Sequence, residues 1–217
     1  MDLTWLGHSC VLLRGSKTVL IDPFITKGEI PADPDLVAVT HGHADHMGVA
    51  AELGKPTIAI NEVAKYLKGK GLTTEPMNLG GSITISGVKF TMTPAWHSNW
   101  LEEAGPGFSG GAAAGIVVRM DEKTVYHAGD TALFSDMQLI GELYNPDAAL
   151  LPIGGRYTMG PEEAMMAARF VGAPLVIPIH YGTWPIIDQD PEQFRRALER
   201  TTDIRVKVLK PGETITL

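Results

Sequence analysis

The sequence predicts an α/β fold, two mixed β-sheets packed face to face with helices outside, forming one domain over residues 1–217. Three observations carry this. Each half of the chain opens with a run of short apolar strands and closes in strand–helix alternation. Packing two such sheets together, with helices outside, buries both strand sets. No linker, low-complexity segment or fixed-period repeat divides the chain, and its length is enough for one sizeable core. Metal-capable side chains fall repeatedly where a strand has just ended, the place where active sites of α/β proteins gather.

Residues 2–6, 10–14 and 18–22 read as three short strands, with turns at Gly7-His8-Ser9 and Gly15-Ser16-Lys17 and an ending in Asp22-Pro23. A loop rich in proline and acidic residues (31–35) leads to a fourth strand, Leu36-Val37-Ala38-Val39, apolar and partly β-branched. From Met47 to Leu53 only Gly48 interrupts what reads as the start of a helix. Thr57–Ile60 reads as a strand, and Asn61 is expected to cap a helix running to about Lys70. A hairpin of 82–85 and 88–93 turns at Ser86-Gly87, and a loop from Pro94 to about Gly111 follows. Strands 114–119 and 123–127 pair about Asp121-Glu122, then come a helix from about Ser135 to Leu143 and strand 147–151. Pro161 opens a helix over 162–171, with acids in its first turn as a helix N-terminus favours. Strand 174–179, a helix from about Pro191 to Arg200, and strands 204–208 and 213–216 complete the chain.

Composition excludes several classes. The hydrophobic fraction of 44% and charged fraction of 20% are those of a soluble globular protein. A formal net charge of −7 with no long basic run argues against a nucleic-acid partner. Neither a signal peptide nor a membrane-spanning run of roughly 20 apolar residues is seen. The single cysteine, Cys10, excludes an internal disulfide and fits a reducing cytoplasm; it reads as a small buried hydrophobe. A homo-oligomer is compatible with the sequence, which leaves the oligomeric state open.

Four metal-capable side chains occupy six positions in His41-Gly42-His43-Ala44-Asp45-His46, on the turn after the fourth strand. Three of the seven histidines lie here, which disfavours a merely solvated turn. Histidine with carboxylate suits zinc, manganese or iron, and the absence of cysteine argues against a structural Cys-rich site. Downstream, His97, Asp130 and His180 each follow the end of a strand. The seven candidates, five histidines and two aspartates, suit two metals that share a carboxylate and keep open positions.

The pattern His41-x-His43-x-Asp45-His46, followed by His97, Asp130 and His180, resembles the metallo-β-lactamase-fold hydrolases, and the resemblance spans the whole chain. More narrowly, Trp5-Leu6-Gly7-His8-Ser9, Ala128-Gly129-Asp130-Thr131 and Pro178-Ile179-His180-Tyr181-Gly182-Thr183 look like a bacterial and archaeal subgroup of metal-dependent hydrolases related to ascorbate-6-phosphate lactonase. The resemblance implies an αββα sandwich with the metals at one edge of the two sheets. It implies that His41, His43 and His97 hold one metal, that Asp45, His46 and His180 hold a second, and that Asp130 bridges them. Zinc is the first choice of metal, with manganese or iron as alternatives. Two such ions lower the pKa of a shared water, so that hydroxide can attack a carbonyl or phosphorus near neutral pH. Asp45 and Asp130 are both candidates for carrying the proton to the leaving group.

Around this set stand further candidates. Asp22 ends a strand where the family places an acid that braces the histidine loop. His127 precedes Asp130 by three residues and reads equally as a core histidine. His8, in its tight turn, is a candidate for reaching substrate or metals, and Arg156, Tyr157 and Tyr181 are candidates for binding an anion. Trp96 and Trp100 flank His97 as candidate pocket walls, while Met159, Met165 and Met166 read as core fillers. The glycine-rich segment 105–115 reads as a lid or a loose connection. It is no phosphate loop, because no Lys-Ser/Thr pair follows.

The function expected is hydrolysis of a small anionic ester, most plausibly a lactone or phosphorylated sugar derivative. Phosphodiester or RNA cleavage is the alternative, and the acidic balance weighs against it. A non-catalytic metal-binding role leaves a complete ligand set unused. Oxygen or nitric oxide reduction is disfavoured because His43 stands where such relatives carry glutamate. Export-dependent β-lactamase and glyoxalase-type thioester chemistry fit the sequence less well.

Overall fold

A computed structural model describes residues 1–26, 29, 33–105 and 107–217. Residues 31 and 32 of the proline-rich loop and Pro106 of the glycine-rich segment lie outside the described residues. The strands are β1 (Asp2–Gly7), β2 (Cys10–Arg14), β3 (Thr18–Ile21), β4 (Leu36–Val39), β5 (Thr57–Ile60), β6 (Thr74–Met77) and β7 (Ser82–Ile85). They continue as β8 (Val88–Pro94), β9 (Ala114–Met120), β10 (Lys123–His127), β11 (Ala148–Pro152), β12 (Leu175–Ile179), β13 (Arg205–Val206) and β14 (Thr214–Thr216). The helices are α1 (Ala44–Met47), α2 (Ala50–Leu53), α3 (Asn61–Gly69), α4 (Met137–Tyr144), α5 (Pro161–Val171) and α6 (Pro191–Glu199).

Two seven-stranded sheets result, ordered β14-β1-β2-β3-β4-β5-β6 and β13-β12-β11-β10-β9-β8-β7. Taken from β14 and from β7, both run through three antiparallel pairs and then three parallel ones. Antiparallel pairs need only tight turns, whereas parallel pairs need crossovers, which explains why the helices sit late in each half.

The two-residue period of the strands divides the core. Val11, Leu13, Val19 and Ile21 of the first sheet share one buried cluster with Phe90, Ile116, Val118, Leu150 and Ile177 of the second. The alternate residues Cys10, Leu12 and Leu20 face outward into a smaller cluster under Leu53 of α2. On the far side of the second sheet, Tyr126, Ala149, Leu151 and Val176 pack against Ile140, Ala164, Ala168 and Phe194 of the helices. Each fully buried Leu, Ile or Val contributes about 1.5–3 kcal/mol relative to exposure.

Three expectations are corrected and one strand is added. The helix read from Met47 to Leu53 is two single turns, α1 and α2, broken at Gly48. Asn61 does not cap α3: it is the first helical residue, and its amide donates instead to Glu62 Oε1 at 3.3 Å. Strand β6 is an addition to the sequence reading, since it contains Pro76; a proline is tolerated there because β6 is the edge of its sheet. Met166 is 39% exposed and so fills no core, whereas Met159 is buried.

Gly48 shows why the break occurs where it does. Its φ is +42°, and a Cβ there would overlap the Pro23 carbonyl oxygen, which also accepts the Val49 N–H at 3.0 Å. The close approach holds the end of β3 against the histidine turn. We predict that Gly48→Ala destabilises the protein by about 2–4 kcal/mol through backbone strain and overlap together. Denaturant unfolding measures this; a midpoint equal to the parent's would show that the Pro23 backbone has room to retreat.

Candidate metal centre

His8, Asp22, His41, His43, Asp45, His46, His97, Asp130 and His180 meet at one edge of the two sheets. The His41–His46 turn follows β4, Asp22 follows β3, Asp130 lies beyond β10, His97 beyond β8 and His180 directly after β12. His8 comes from the β1–β2 turn. The β3–β4 and β10–β11 pairs are the points where antiparallel pairing gives way to parallel in each sheet.

Asp22 is fully buried and takes three hydrogen bonds: from Thr40 N–H at 2.8 Å, from Thr40 Oγ1 at 2.8 Å and from His46 Nδ1 at 2.7 Å. Because the Thr40 hydroxyl donates to Asp22, it accepts from His41 Nδ1 at 3.0 Å. His41 therefore carries its hydrogen on Nδ1 and turns the Nε2 lone pair inward. There it faces His43 Nδ1 at 3.0 Å. Two nitrogens on one tetrahedral zinc, each at about 2.0–2.1 Å, would stand about 3.3 Å apart.

Asp130 sits between the histidines. Its Oδ1 is 3.2 Å from His46 Nε2, and its Oδ2 is 3.0 Å from His180 Nε2 and 3.7 Å from His97 Nε2. Asp45 Oδ2 lies 3.1 Å from His8 Nε2 and 3.9 Å from His180 Nε2.

The electrostatics follow from burial and charge together. Burial pushes His41 well below the usual histidine range, with His46 adding repulsion, and burial likewise lowers His43 and His97. These rings are neutral near pH 7, the form that ligates a cation. For His46, burial opposes the charge, but Asp130 and Asp22 outweigh it and raise the ring well above its ordinary value. For Asp130, burial favours the acid, yet His46 and His180 outweigh it and hold the carboxyl well below its usual range. Asp45 is held ionised at about 2, because the His8 hydrogen bond and the His46 charge exceed the effect of burial.

Backbone strain is concentrated at the same place. Among the described residues, seven non-glycine residues have positive φ. Ser86, Asp121, Glu122 and Asn145 serve hairpin turns and a helix end. The other three are His8 (+52°), Asp22 (+48°) and His180 (+54°), all in the centre. Such residues persist only where surrounding contacts fix them. Here the His180 N–H donates to the His8 carbonyl at 2.9 Å, and Trp5 Nε1 donates to the same oxygen at 3.0 Å.

Some candidates stand apart. His127 donates from Nε2 to the Ser9 carbonyl at 2.8 Å and accepts the Gly129 N–H on Nδ1 at 3.1 Å, so both nitrogens are spent on structure. Arg156 and Tyr157 are exposed on the loop after β11, away from the cluster's hydrogen bonds. Tyr181 stacks on Trp5 with ring centroids 5.5 Å apart. Trp96 and Trp100 are mostly exposed beside His97.

Two polar residues were invisible to the sequence reading, Thr40 and Asn99, and Thr183 stood in a quoted motif without a role. Asn99 accepts the Gly42 N–H at 2.7 Å and donates to the Gly110 and Ala112 carbonyls at 2.7 and 2.9 Å, tying the glycine-rich segment to the histidine turn. No spacing rule marks such residues in one sequence.

The donor set fits divalent cations. Ligand atoms of His41, His43 and His97 lie within 4.8 Å of one another, as do those of His41, His46 and Asp130, and those of His8, Asp45, His46 and His180. His43 Nε2 is buried without a hydrogen-bond partner among the described residues, and His46 Nε2 and Asp130 Oδ1 face each other at 3.2 Å without a well-formed hydrogen bond. Buried polar atoms are normally paired, so converging unpartnered donors of this chemistry suit a metal.

Comparison with known proteins agrees. A family described as "Beta-lactamase superfamily domain" matches residues 5–181. A "UPF0173 metal-dependent hydrolase" of Methanoculleus marisnigri is 68% identical over 215 residues, covering 99% of this chain and 96% of its own. Another, from Methanosarcina mazei, is 48% identical over 227 residues, covering 100% and 99%. Among solved structures, Igni18, a metallo hydrolase of Ignicoccus hospitalis, superposes with a TM-score of 0.89 at 37% identity over 99% and 97% of the two chains. The isothiocyanate hydrolase from Delia radicum gut bacteria shares the fold, with a TM-score of 0.77 at 19% identity over 100% and 99%.

Because Asp22 orients His46 and, through Thr40, His41, we predict that Asp22→Asn weakens zinc binding roughly 10–100-fold. Asparagine tolerates the positive φ, so the fold is retained. Competition with a chromophoric chelator measures the affinity; unchanged binding would leave Asp22 as a turn former only.

Proposed function

The chain belongs to the metallo-β-lactamase superfamily and, within it, to the UPF0173 metal-dependent hydrolases, and from that premise we propose an enzyme that holds two divalent cations, zinc first, and hydrolyses a small anionic ester such as a lactone or phosphorylated sugar derivative. One observation carries the two-cation reading. Among the described residues, Asp130 alone puts a carboxylate oxygen near both histidine sets, 3.0 Å from His180 and 3.7 Å from His97. When bound, the cations supply Lewis acidity, activating water and polarising the scissile carbonyl or phosphoryl group. The side chains divide the remaining work. Asp130, only 3% exposed, offsets the repulsion between two dications. Neutral His41, His43 and His97 offer lone pairs without a deprotonation step. Asp45 is 25% exposed and so can reach a leaving group, which makes it rather than Asp130 the proton carrier in this reading.

The substrate class is supported by a cleft of about 610 Å³ that shares His8 with the centre. Trp5, Phe24, Tyr181 and Trp184 supply flat apolar walls, and Lys210 supplies a cation. The volume is that of a small-molecule pocket, and aromatic walls with one cation suit a ring-bearing anion. The lactonase resemblance of the sequence motivates the sugar-lactone choice. A long polyanion would meet a chain of net charge −7 with few cations to replace its counterions. The same reading puts the enzyme in the cytoplasm, since Cys10 is buried and unpaired. No helix among the described residues is long and apolar enough to cross a membrane.

Two predictions test this. Zinc titration of the metal-free chain should give two ions, and Asp130→Asn should weaken both, whereas loss of one ion with the other intact would end the bridging role. Sugar lactones and small phosphoesters should be turned over in preference to structured or single-stranded RNA at physiological salt, with KM for anionic esters rising several-fold in Lys210→Met. Efficient RNA cleavage abolished by His43→Ala, with no small ester turned over, would install the phosphodiesterase reading instead.

A further inference from the structure

His8 is 1% exposed, yet its ring makes two side-chain hydrogen bonds that run from the metal centre to the cleft. Nε2 meets Asp45 Oδ2 at 3.1 Å, and Nδ1 meets Thr183 Oγ1 at 2.8 Å. An ionised carboxylate only accepts, so Nε2 carries the hydrogen of the first bond whatever the charge of the ring. That nitrogen then has no lone pair for a cation, although it belongs to a group of four side chains whose ligand atoms lie within 4.8 Å of one another. The bond engages Asp45 Oδ2, the oxygen that also lies 3.9 Å from His180 Nε2. Thr183, on the cleft wall, grips the opposite nitrogen and stops the ring from turning about its bond to Cβ. The His8 backbone is fixed separately, since its carbonyl accepts from His180 N and Trp5 Nε1.

We propose that His8 is a positioning residue, not a metal ligand: braced by Thr183, it holds the Asp45 carboxylate, whose Oδ2 also lies 3.9 Å from His180 Nε2, against the cation that His46 and His180 also face. This rests on the two-cation reading above and deepens it. The pair Thr183–His8 does for Asp45 what the pair Thr40–Asp22 does for His41 and His46, from the opposite side of the centre. Supporting groups of this kind typically change metal affinity 10–100-fold.

The test is zinc titration of the metal-free full-length chain against a chromophoric chelator, with thermal unfolding of each metal-free variant as a control. His8→Phe should weaken one of the two ions 10–100-fold and leave the other unchanged. His8→Gln, whose amide N–H₂ can donate near the position of Nε2, should recover most of the loss. Thr183→Val, a substitution at a half-buried cleft position that leaves the backbone intact, should weaken the same ion about tenfold. The double variant should bind no worse than His8→Phe, because the two residues act in series. If Gln fails like Phe while Thr183→Val binds as the parent does, His8 is a direct ligand and the proposal is overturned. If every variant keeps both affinities, His8 has no part in the centre. A parent chain that takes one ion would remove the two-cation reading alone, and the ratio between the His8 and Thr183 variants would still decide this proposal.

Discussion

A carboxylate sealed beneath the histidine turn organises this molecule. Asp22 has no solvent exposure, sits in a left-handed backbone conformation and receives three hydrogen bonds. Two come from Thr40 and one from His46, so the ends of β3 and β4 cannot separate without stranding a buried anion. Leaving such a group unpaired costs several kcal/mol. The constraint spreads outward: Thr40 passes it to His41, and Pro23, pressed against Gly48, passes it to the turn joining α1 and α2. The orientation of two histidines, the break between two helical turns and the strained backbone at Asp22 thus have one cause.

The second sheet answers with its own fixed points. His127 reaches across to the Ser9 carbonyl, and the His180 N–H bonds the His8 carbonyl. Both contacts land on the β1–β2 turn. This turn therefore joins the two sheets at the centre, and a histidine in left-handed conformation is held there from both sides. Strain at His8 and His180 is balanced by the His180 N–H bond between the sheets, with Trp5 Nε1 of β1 adding a second bond to the same His8 carbonyl.

How much of this was legible in the sequence depended on the kind of signal. The strands were readable because their apolar residues alternate or cluster between turn formers, as in Cys10–Arg14 and Leu175–Ile179. The convergence of His41, His43, Asp45, His46, His97, Asp130 and His180 was readable because rare residue types stand at strand ends. What stayed hidden has physical reasons. Strand β6 contains a proline, which only its edge position excuses. Asn61 has the composition of a cap, but the helix begins on it. Thr40 and Asn99 are common side chains whose roles are set by Asp22 and by Gly42, Gly110 and Ala112, Thr183 gains its role only from His8, and Gly48 reads as a helix interruption until Pro23 is seen beside it.

The repeated pairing order of the two sheets has a consequence for how the protein matures. The half ending in β6 supplies His8, Asp22 and the His41–His46 turn, whereas His97, Asp130 and His180 come from the strands that follow. Neither half owns a complete set of donors. A cation can be held tightly only after the two sheets have docked in register, so capture of the ion acts as a checkpoint on assembly. An ion held more tightly by the docked state than by the open chain would add stability by mass action. The edge of the sandwich that carries the candidate site is, by the same geometry, the seam that a bound ion would fasten.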